Sequence, residues 1–361
     1  MTQPDVGVLI IDDSAIVRQA LTEQLNRQPG ITVLGAAPDP YVGRDMIAKL
    51  KPDILTLDIE MPRMDGLTFL RKLMRYHPIP TVIVSSLTQK GCATAVACLE
   101  AGAIDVLAKP GAAYSVGNLA TELARIIRDA RHVDITKRAA IATENTAADT
   151  ARLSLGAAHE TTDKIIAIGA STGGTDALRR VLTPLPRTCP GIVMTQHMPA
   201  GFTSSFAARL DESSELEVIE ARDGDSVLPG RALLAPGDKH LRLVRDGARY
   251  RVQVSRGPRV CRHRPSVEVL FESVAEIAGR NALGIILTGM GDDGATGLKT
   301  MRDAGSVTIA QDEASCVVFG MPRVAIDRGA ACHVTHLDQI ADQIIRFTQG
   351  KLRATIQNAA A

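Results

Sequence analysis

"KIIAIGASTGGTDAL", Lys164 to Leu178, is the stretch on which the reading of this 361-residue chain turns. A continuous apolar run ends in a Gly-flanked serine, and a helix-like segment follows. An unbroken apolar run of this length reads as a strand covered on both faces, as in parallel sheets. Ser171 is then either a nucleophile held at a strand end or part of a glycine turn that cradles a phosphate. The stretch alone fits both.

The same rhythm continues outward from it. After Asp163 come "GIVMTQH", "LEVIEA", "ALGIILTG", "SVTIAQ" and "ACHV", with helical segments between them. One interruption, "RALLAPGDKHLRLVRDGARYRVQVSR", alternates apolar and polar residues around a Gly-containing turn. It predicts an antiparallel hairpin at the sheet edge. Toward the N-terminus the rhythm recurs in "VGVLIID", "ITVLGAA", "DILTLD", "TVIVSS" and "AIDVLAK", with amphipathic segments such as "SAIVRQALTEQLNRQ" between them. Five β/α repeats imply a doubly wound parallel sheet. Between the halves, "RHVDITKRAAIATENTAADTARLSLGAAHETT" is rich in Ala, Thr and charge and poor in large apolar residues, the composition of a linker. The expected organisation is α/β throughout: one domain over 1–131, a linker over 132–162, a mostly parallel doubly wound domain with an edge hairpin over 163–350, and a tail over 351–361.

Composition narrows the function. Lys+Arg 41 against Asp+Glu 40 leaves no field to draw in nucleic acid or an anionic membrane, and 3% aromatic residues argue against base-stacking platforms. No signal peptide or run of spanning length is visible, so a cytosolic protein without membrane insertion is expected. Cys92, Cys98, Cys189, Cys261, Cys316 and Cys332 form no CxxC pair and no metal spacing, and read as small buried apolar groups.

In the first half Asp12 and Asp13 end the first strand, Asp58 the third, Ser85 the fourth and Lys109 the fifth. Parallel strands send these five side chains to one rim. Crowded carboxylates call for a hard cation such as Mg²⁺, and a lysine and a hydroxyl beside them suit an acyl phosphate. A single such Asp would read as a helix cap; five matched strand ends do not. "LIIDDSAIVR", "LDIEMPRMDG", "VIVSS" and "AKP" together resemble the receiver domain of two-component response regulators, a flavodoxin-like fold, over residues 5–131. The resemblance implies that Asp58 accepts a phosphoryl group from a histidine kinase. It implies that Asp13, Asp58 and the Glu60 backbone carbonyl ligate Mg²⁺, with Asp12 acting through water, and that Ser85 and Lys109 contact the phosphoryl oxygens. Val106 departs from the pattern, which has Tyr or Phe three residues before the lysine.

In the second half Ser171, His197 and the pair Asp292/Asp293 all follow apolar strands, so serine, histidine and carboxylate can meet on one rim. "GASTG" matches G-x-S-x-G, but the chain order Ser, His, Asp is not that of ordinary α/β-hydrolases; triads are defined by geometry rather than order. "GASTGG" lacks the Lys of a P-loop, which weakens the phosphate cradle. His77, His132, His159, His240, His333 and His336 read as structural or solvated.

"IIAIGASTGGTDAL", "QHMPAGFTSSFAARL", "GRALLAPGDKHL", "HRPSVEVLF" and "ILTGMGDDGATGL" resemble the catalytic domain of chemotaxis protein-glutamate methylesterases, over about residues 163–348. The resemblance implies Ser171 as nucleophile, His197 as general base and acid, and Asp293 rather than Asp292 as its orienting carboxylate. It implies an oxyanion site at the Met290 amide with help from Thr172. The expected substrates are γ-methyl glutamate esters and glutamines of methyl-accepting chemoreceptors, hydrolysed without metal or organic cofactor, and the phosphodonor is a chemotaxis histidine kinase. A phosphoacceptor domain tethered to a hydrolase predicts inhibition that phosphorylation of Asp58 relieves. The run Arg251, Arg256, Arg259, Arg262 and Arg264 is a candidate contact for acidic receptor residues, or else a solvated hairpin and loop.

Overall fold

The computed structural model describes residues 5–109, 116–130, 133, 135 and 163–353, in two compact units lying within Met1–Ala148 and Asp149–Ala361. Each is taken by itself. Most of the predicted linker, with His132 and His159, and residues 354–361 of the predicted tail lie outside the described residues.

The N-terminal unit alternates β1 (Val6–Ile11), α1 (Ala15–Asn26), β2 (Ile31–Ala37), α2 (Pro40–Leu50), β3 (Ile54–Asp58), α3 (Gly66–Tyr76), β4 (Thr81–Ser85), α4 (Gln89–Glu100), β5 (Asp105–Ala108) and α5 (Val116–Asp129). The strands are parallel in the order β2-β1-β3-β4-β5, the five-stranded doubly wound sheet expected. β1, β3 and β4 are buried along their whole length, which is why their sequences do not alternate. The helices start on side-chain caps: Ser14, Asp39, Asp65 and Thr88 each accept a backbone N–H of the first turn. Val133 and Ile135, in the predicted linker, pack on the core formed by β1, α1 and α5.

The C-terminal unit has a seven-stranded sheet in the order β14-β13-β12-β6-β7-β9-β8, parallel at every pairing. In chain order it runs β6 (Ile165–Ala170), α6 (Gly174–Leu182), β7 (Gly191–Gln196), α7 (Phe202–Ser213), β8 (Glu217–Glu220), β9 (Arg231–Leu234), β10 (His240–Asp246), β11 (Arg249–Ser255), α8 (Val267–Ala278), β12 (Ala282–Ile286), α9 (Ala295–Asp303), β13 (Val307–Gln311), α10 (Met321–Asp327), β14 (His333–Thr335) and α11 (Leu337–Thr348). From β6 the chain first builds β7, β8 and β9 on one side, then returns to place β12, β13 and β14 on the other. The direction therefore reverses between β6 and β12, where α/β sheets open a ligand crevice at the carboxyl ends of the strands.

The hairpin predicted from Arg231 onward is shorter and differently placed. Arg231–Leu234 forms β9 inside the parallel sheet, and β10 and β11 form an antiparallel two-stranded sheet of their own. Leu241, Leu243, Tyr250 and Val252 bury against Val267, Leu270 and Val274, and Leu243 N–H donates to Ser273 Oγ at 2.9 Å, so the hairpin is seated on α8 instead of the sheet edge. A four-residue strand that runs into Pro236 carries too little pattern to be separated from the alternating segment after it. All six cysteines are free; Cys261 and Cys332 are half-buried, the other four buried. At the start of the predicted tail, Leu352 packs into the domain.

Candidate active and phosphoacceptor sites

The receiver-like unit gathers its candidates at the C-terminal ends of β1, β3, β4 and β5. Ligand oxygens of Asp12, Asp13 and Asp58 lie within 4.8 Å of one another. Lys109 Nζ sits 2.7 Å from Asp58 Oδ2 and 3.0 Å from Asp12 Oδ2. Burial pushes the Asp58 carboxyl up to about 6 against the pull of Lys109, and the Asp12 charge adds to the rise. Burial works to lower Lys109, but Asp58 and Asp12 outweigh it and hold the ammonium protonated. Three clustered carboxylates facing one ammonium, with Asp13 exposed, leave an excess of negative charge that suits a divalent cation. The Glu60 N–H donates to Asp58 Oδ1 at 3.3 Å, and Ser85 is fully buried at the neighbouring strand end. Gly66 opens α3 directly beneath this rim: a Cβ there would stand 2.2 Å from the Asp58 carbonyl oxygen. Val106 is buried in β5.

In the C-terminal unit, β6, β7 and β12 deliver the candidates of the crevice. Ala170 is in register with Gln196, so Ser171 and His197 leave adjacent strand ends side by side, and His197 N–H donates to Ala170 O at 3.1 Å. From the other side, Ser171 N–H donates to Thr288 O at 3.0 Å. A Cβ on Gly289 would lie 2.7 Å from Ser171 Cβ, so that glycine is needed for the two loops to meet. Met290 follows, buried, and among the described residues its amide donates to no backbone carbonyl. Thr172 is buried too; its carbonyl accepts the Thr288 hydroxyl at 3.0 Å.

His197 Nε2 donates to Asp293 Oδ2 at 2.7 Å. Its Nδ1 is buried and has no hydrogen-bond partner among the described residues. Asp293 in turn caps α8: Oδ1 accepts from Ser266 Oγ at 2.7 Å and Glu268 N at 3.0 Å, and Oδ2 from Val267 N at 2.8 Å. Burial works to raise the Asp293 carboxyl, but the donors from His197, Ser266 and Glu268 outweigh it and hold it below the ordinary range. The carboxylate thus stays charged at the positive end of a helix. Asp292, which the residues alone could not separate from Asp293, is surface-facing and pairs with Arg262 at 2.9 Å.

The sequence pattern of the CheB methylesterase family matches residues 166–344, and that of the response regulator receiver domain matches residues 8–117. A protein of Anaeromyxobacter dehalogenans named protein-glutamate methylesterase/protein-glutamine glutaminase 4 is 53% identical over 95% of each chain. The protein-glutamate methylesterase/protein-glutamine glutaminase of Escherichia coli K12 is 52% identical over 94% of this chain and 96% of its own. The chain belongs to this family. The crystal structure of the Thermotoga maritima CheB methylesterase catalytic domain is 40% identical, covers 52% of this chain and 100% of its own, and superposes with a TM-score of 0.51. Along the chain the receiver match precedes the methylesterase match. No described helix is long and apolar enough to cross a membrane.

Four residues around the methylesterase crevice escaped the sequence analysis. Gln196 Nε2 donates to both the Ser171 carbonyl, at 2.9 Å, and the His197 carbonyl, at 3.2 Å. Gly174 leaves room for that amide, since a Cβ there would lie 2.2 Å from Gln196 Oε1. Ser266 steadies Asp293, and the His263 ring stacks on His197 with centroids 3.7 Å apart. A glutamine closing an apolar strand was the one local signal. Of the glycines flanking the serine, Gly173 is left-handed at φ 79° and caps the start of α6, whereas Gly169 lies within β6, where a Cβ would stand 2.1 Å from Val267 Cγ1.

The arginine run is mostly paired within the domain: Arg251 with Asp246 at 2.9 Å, Arg256 and Arg264 with Asp238, Arg262 with Asp292. His240 is buried, with Nε2 on the Pro258 carbonyl and Nδ1 accepting Ser266 N–H. His333 donates to Arg353 O, His336 caps α11 and His77 caps the end of α3. Burial, with the nearby Asp293 and Glu268, pushes the Cys261 thiol up to about 11, which favours the neutral thiol over the reactive thiolate.

Proposed function

We propose that this chain is a cytoplasmic, phosphorylation-activated serine hydrolase of chemotaxis, which demethylates glutamate γ-methyl esters on methyl-accepting chemoreceptors and deamidates receptor glutamines. The observation that carries the reading is His197, tied through Nε2 to a charged, buried Asp293 and left with an unpartnered Nδ1 beside the Ser171 strand end.

On this reading His197 Nδ1 takes the Ser171 proton as Oγ bonds to the ester carbonyl carbon. His197 then returns the proton to the departing methoxide, which leaves as methanol. Water, deprotonated by His197, cleaves the glutamyl-serine bond, freeing glutamate and restoring Ser171. With a glutamine substrate the leaving group is ammonia. Proton transfer contributes roughly 10²–10⁴-fold, and an oxyanion donor, here the Met290 amide with Thr172, roughly 10²–10³-fold. Asp293 holds the tautomer with the proton on Nε2 and stabilises the imidazolium.

In the receiver, Asp58 attacks the phosphoryl group of a chemotaxis histidine kinase; an O–P bond forms as the N–P bond to the kinase histidine breaks. Asp12, Asp13, Asp58 and the Glu60 carbonyl would hold Mg²⁺, which when bound neutralises the crowded oxygens. Lys109 and Ser85 meet the phosphoryl oxygens. The domain division at 1–131, 132–162, 163–350 and 351–361 belongs to the same proposal.

The test is methanol release from methylated receptor by wild type and Ser171→Ala, each with and without a phosphodonor. Wild type is expected to release methanol and to speed up with the phosphodonor, and Ser171→Ala to be inactive in both. Activity in Ser171→Ala would overturn the nucleophile. A fragment from Asp163 onward no faster than the unphosphorylated full chain would overturn the inhibition.

A further inference from the structure

We propose that His263 is a positioning residue for His197: its ring lies flat on the His197 imidazole and fixes the plane in which Nδ1 is offered to Ser171. The inference rests on the reading of His197 as the general base. The two centroids are 3.7 Å apart and the planes differ by 3°. Among the described residues the His197 ring has one hydrogen bond, through Nε2, and because Nε2 lies on the far side of the ring near the Cβ–Cγ axis, the ring can still turn about that axis. A second ring laid flat against it removes that freedom.

The segment carrying His263 is built to hold it there. Val260 and His263 exchange backbone hydrogen bonds of 2.9 and 3.1 Å, closing a tight turn. Its central residues, Cys261 and Arg262, both take left-handed backbone, φ 48° and 72°, a conformation that costs a non-glycine residue about 1 kcal/mol or more. Contacts on the catalytic side offset that cost. Cys261 Sγ lies within 4.8 Å of an Asp293 carboxylate oxygen, Arg262 pairs with Asp292, and His263 covers His197. Three consecutive residues thus engage Asp293, its surface-facing neighbour Asp292, and His197.

Shape and volume separate in the test. kcat and KM for methylated receptor are measured on full-length wild type, His263→Phe, His263→Leu and Ser171→Ala, with thermal unfolding of each. His263→Phe keeps a flat ring and is expected within about threefold of wild type. His263→Leu fills the space without a flat face and is expected to lose about tenfold to hundredfold in kcat, with KM and the unfolding midpoint little changed. Equal kcat for Phe and Leu, or a loss confined to KM, or a Leu loss that tracks a lowered unfolding midpoint, would overturn the proposal. Should His263→Leu fail to fold, His263→Gln replaces it with the same expectation. An active Ser171→Ala would instead sink the triad reading, whereas an inactive Ser171→Ala beside a fully active His263→Leu sinks this inference alone.

Discussion

Asp293 joins His197 to the first turn of α8: one carboxylate receives the imidazole N–H at 2.7 Å and, on the same two oxygens, the Ser266 hydroxyl and the amides of Val267 and Glu268. Every lone-pair direction useful for holding the carboxylate still is taken. The carboxylate that takes the His197 Nε2–H is thus anchored to a helix terminus 26 residues away from it in sequence.

Asp293→Asn should therefore cost kcat more than KM. The amide can neither stabilise an imidazolium nor accept equally from all four donors, and a loss on the order of 10²–10⁴ in kcat is expected. Steady-state methanol release checks it; a variant within twofold of wild type would contradict the assignment.

Ser266→Ala removes one donor from that carboxylate and leaves its Oδ1 with the Glu268 amide alone on that side. A hydrogen bond to a charged group is worth about 1.5–3 kcal/mol, so unfolding should become easier by roughly that amount, with a smaller drop in kcat than for Asp293→Asn. Denaturant titration together with kcat separates the two effects.

Gly174→Ala brings a methyl to 2.2 Å from Gln196 Oε1 and 2.7 Å from Ala170 Cβ. The glutamine cannot retreat without releasing the Ser171 and His197 carbonyls it holds. A destabilisation of about 1–3 kcal/mol is expected, with kcat falling as the two strand ends lose register. Gln196→Leu, which removes the donor but not the volume, should lower kcat at smaller cost to stability.

The receiver's acidic cluster makes a pH signature in metal-free buffer. With the Asp58 carboxyl raised from 3.8 to about 6 by burial, the folded receiver binds one more proton than the unfolded chain between those values. Its stability therefore falls as pH rises from about 4 to about 6, by up to ~3 kcal/mol. Asp58→Asn should flatten that fall, and added Mg²⁺ should offset it by favouring the charged form. Urea-dependent labelling of Cys98, fully buried in α4, reads the receiver transition alone within the full chain.

What the sequence by itself determined is what local pattern can carry. Continuous apolar runs marked strands buried on both faces, and the residues closing them, Asp58, Ser85, Ser171 and His197, were legible because parallel strands all end on one rim. Pattern failed where the element was short, as at Arg231–Leu234, whose place inside the sheet depends on pairing with β7 and β8. Tertiary structure alone decided that Asp293 faces His197 while its neighbour Asp292 faces Arg262, that Nδ1 is the open nitrogen, and that Gln196, Ser266 and His263 surround the pair. Those relations span tens of residues along the chain, 96 between His197 and Asp293, and depend on the register of separate strands and the seating of α8. Periodicity is a property of neighbours in sequence, whereas a hydrogen bond is a property of neighbours in space, and only the packed sheet converts one into the other.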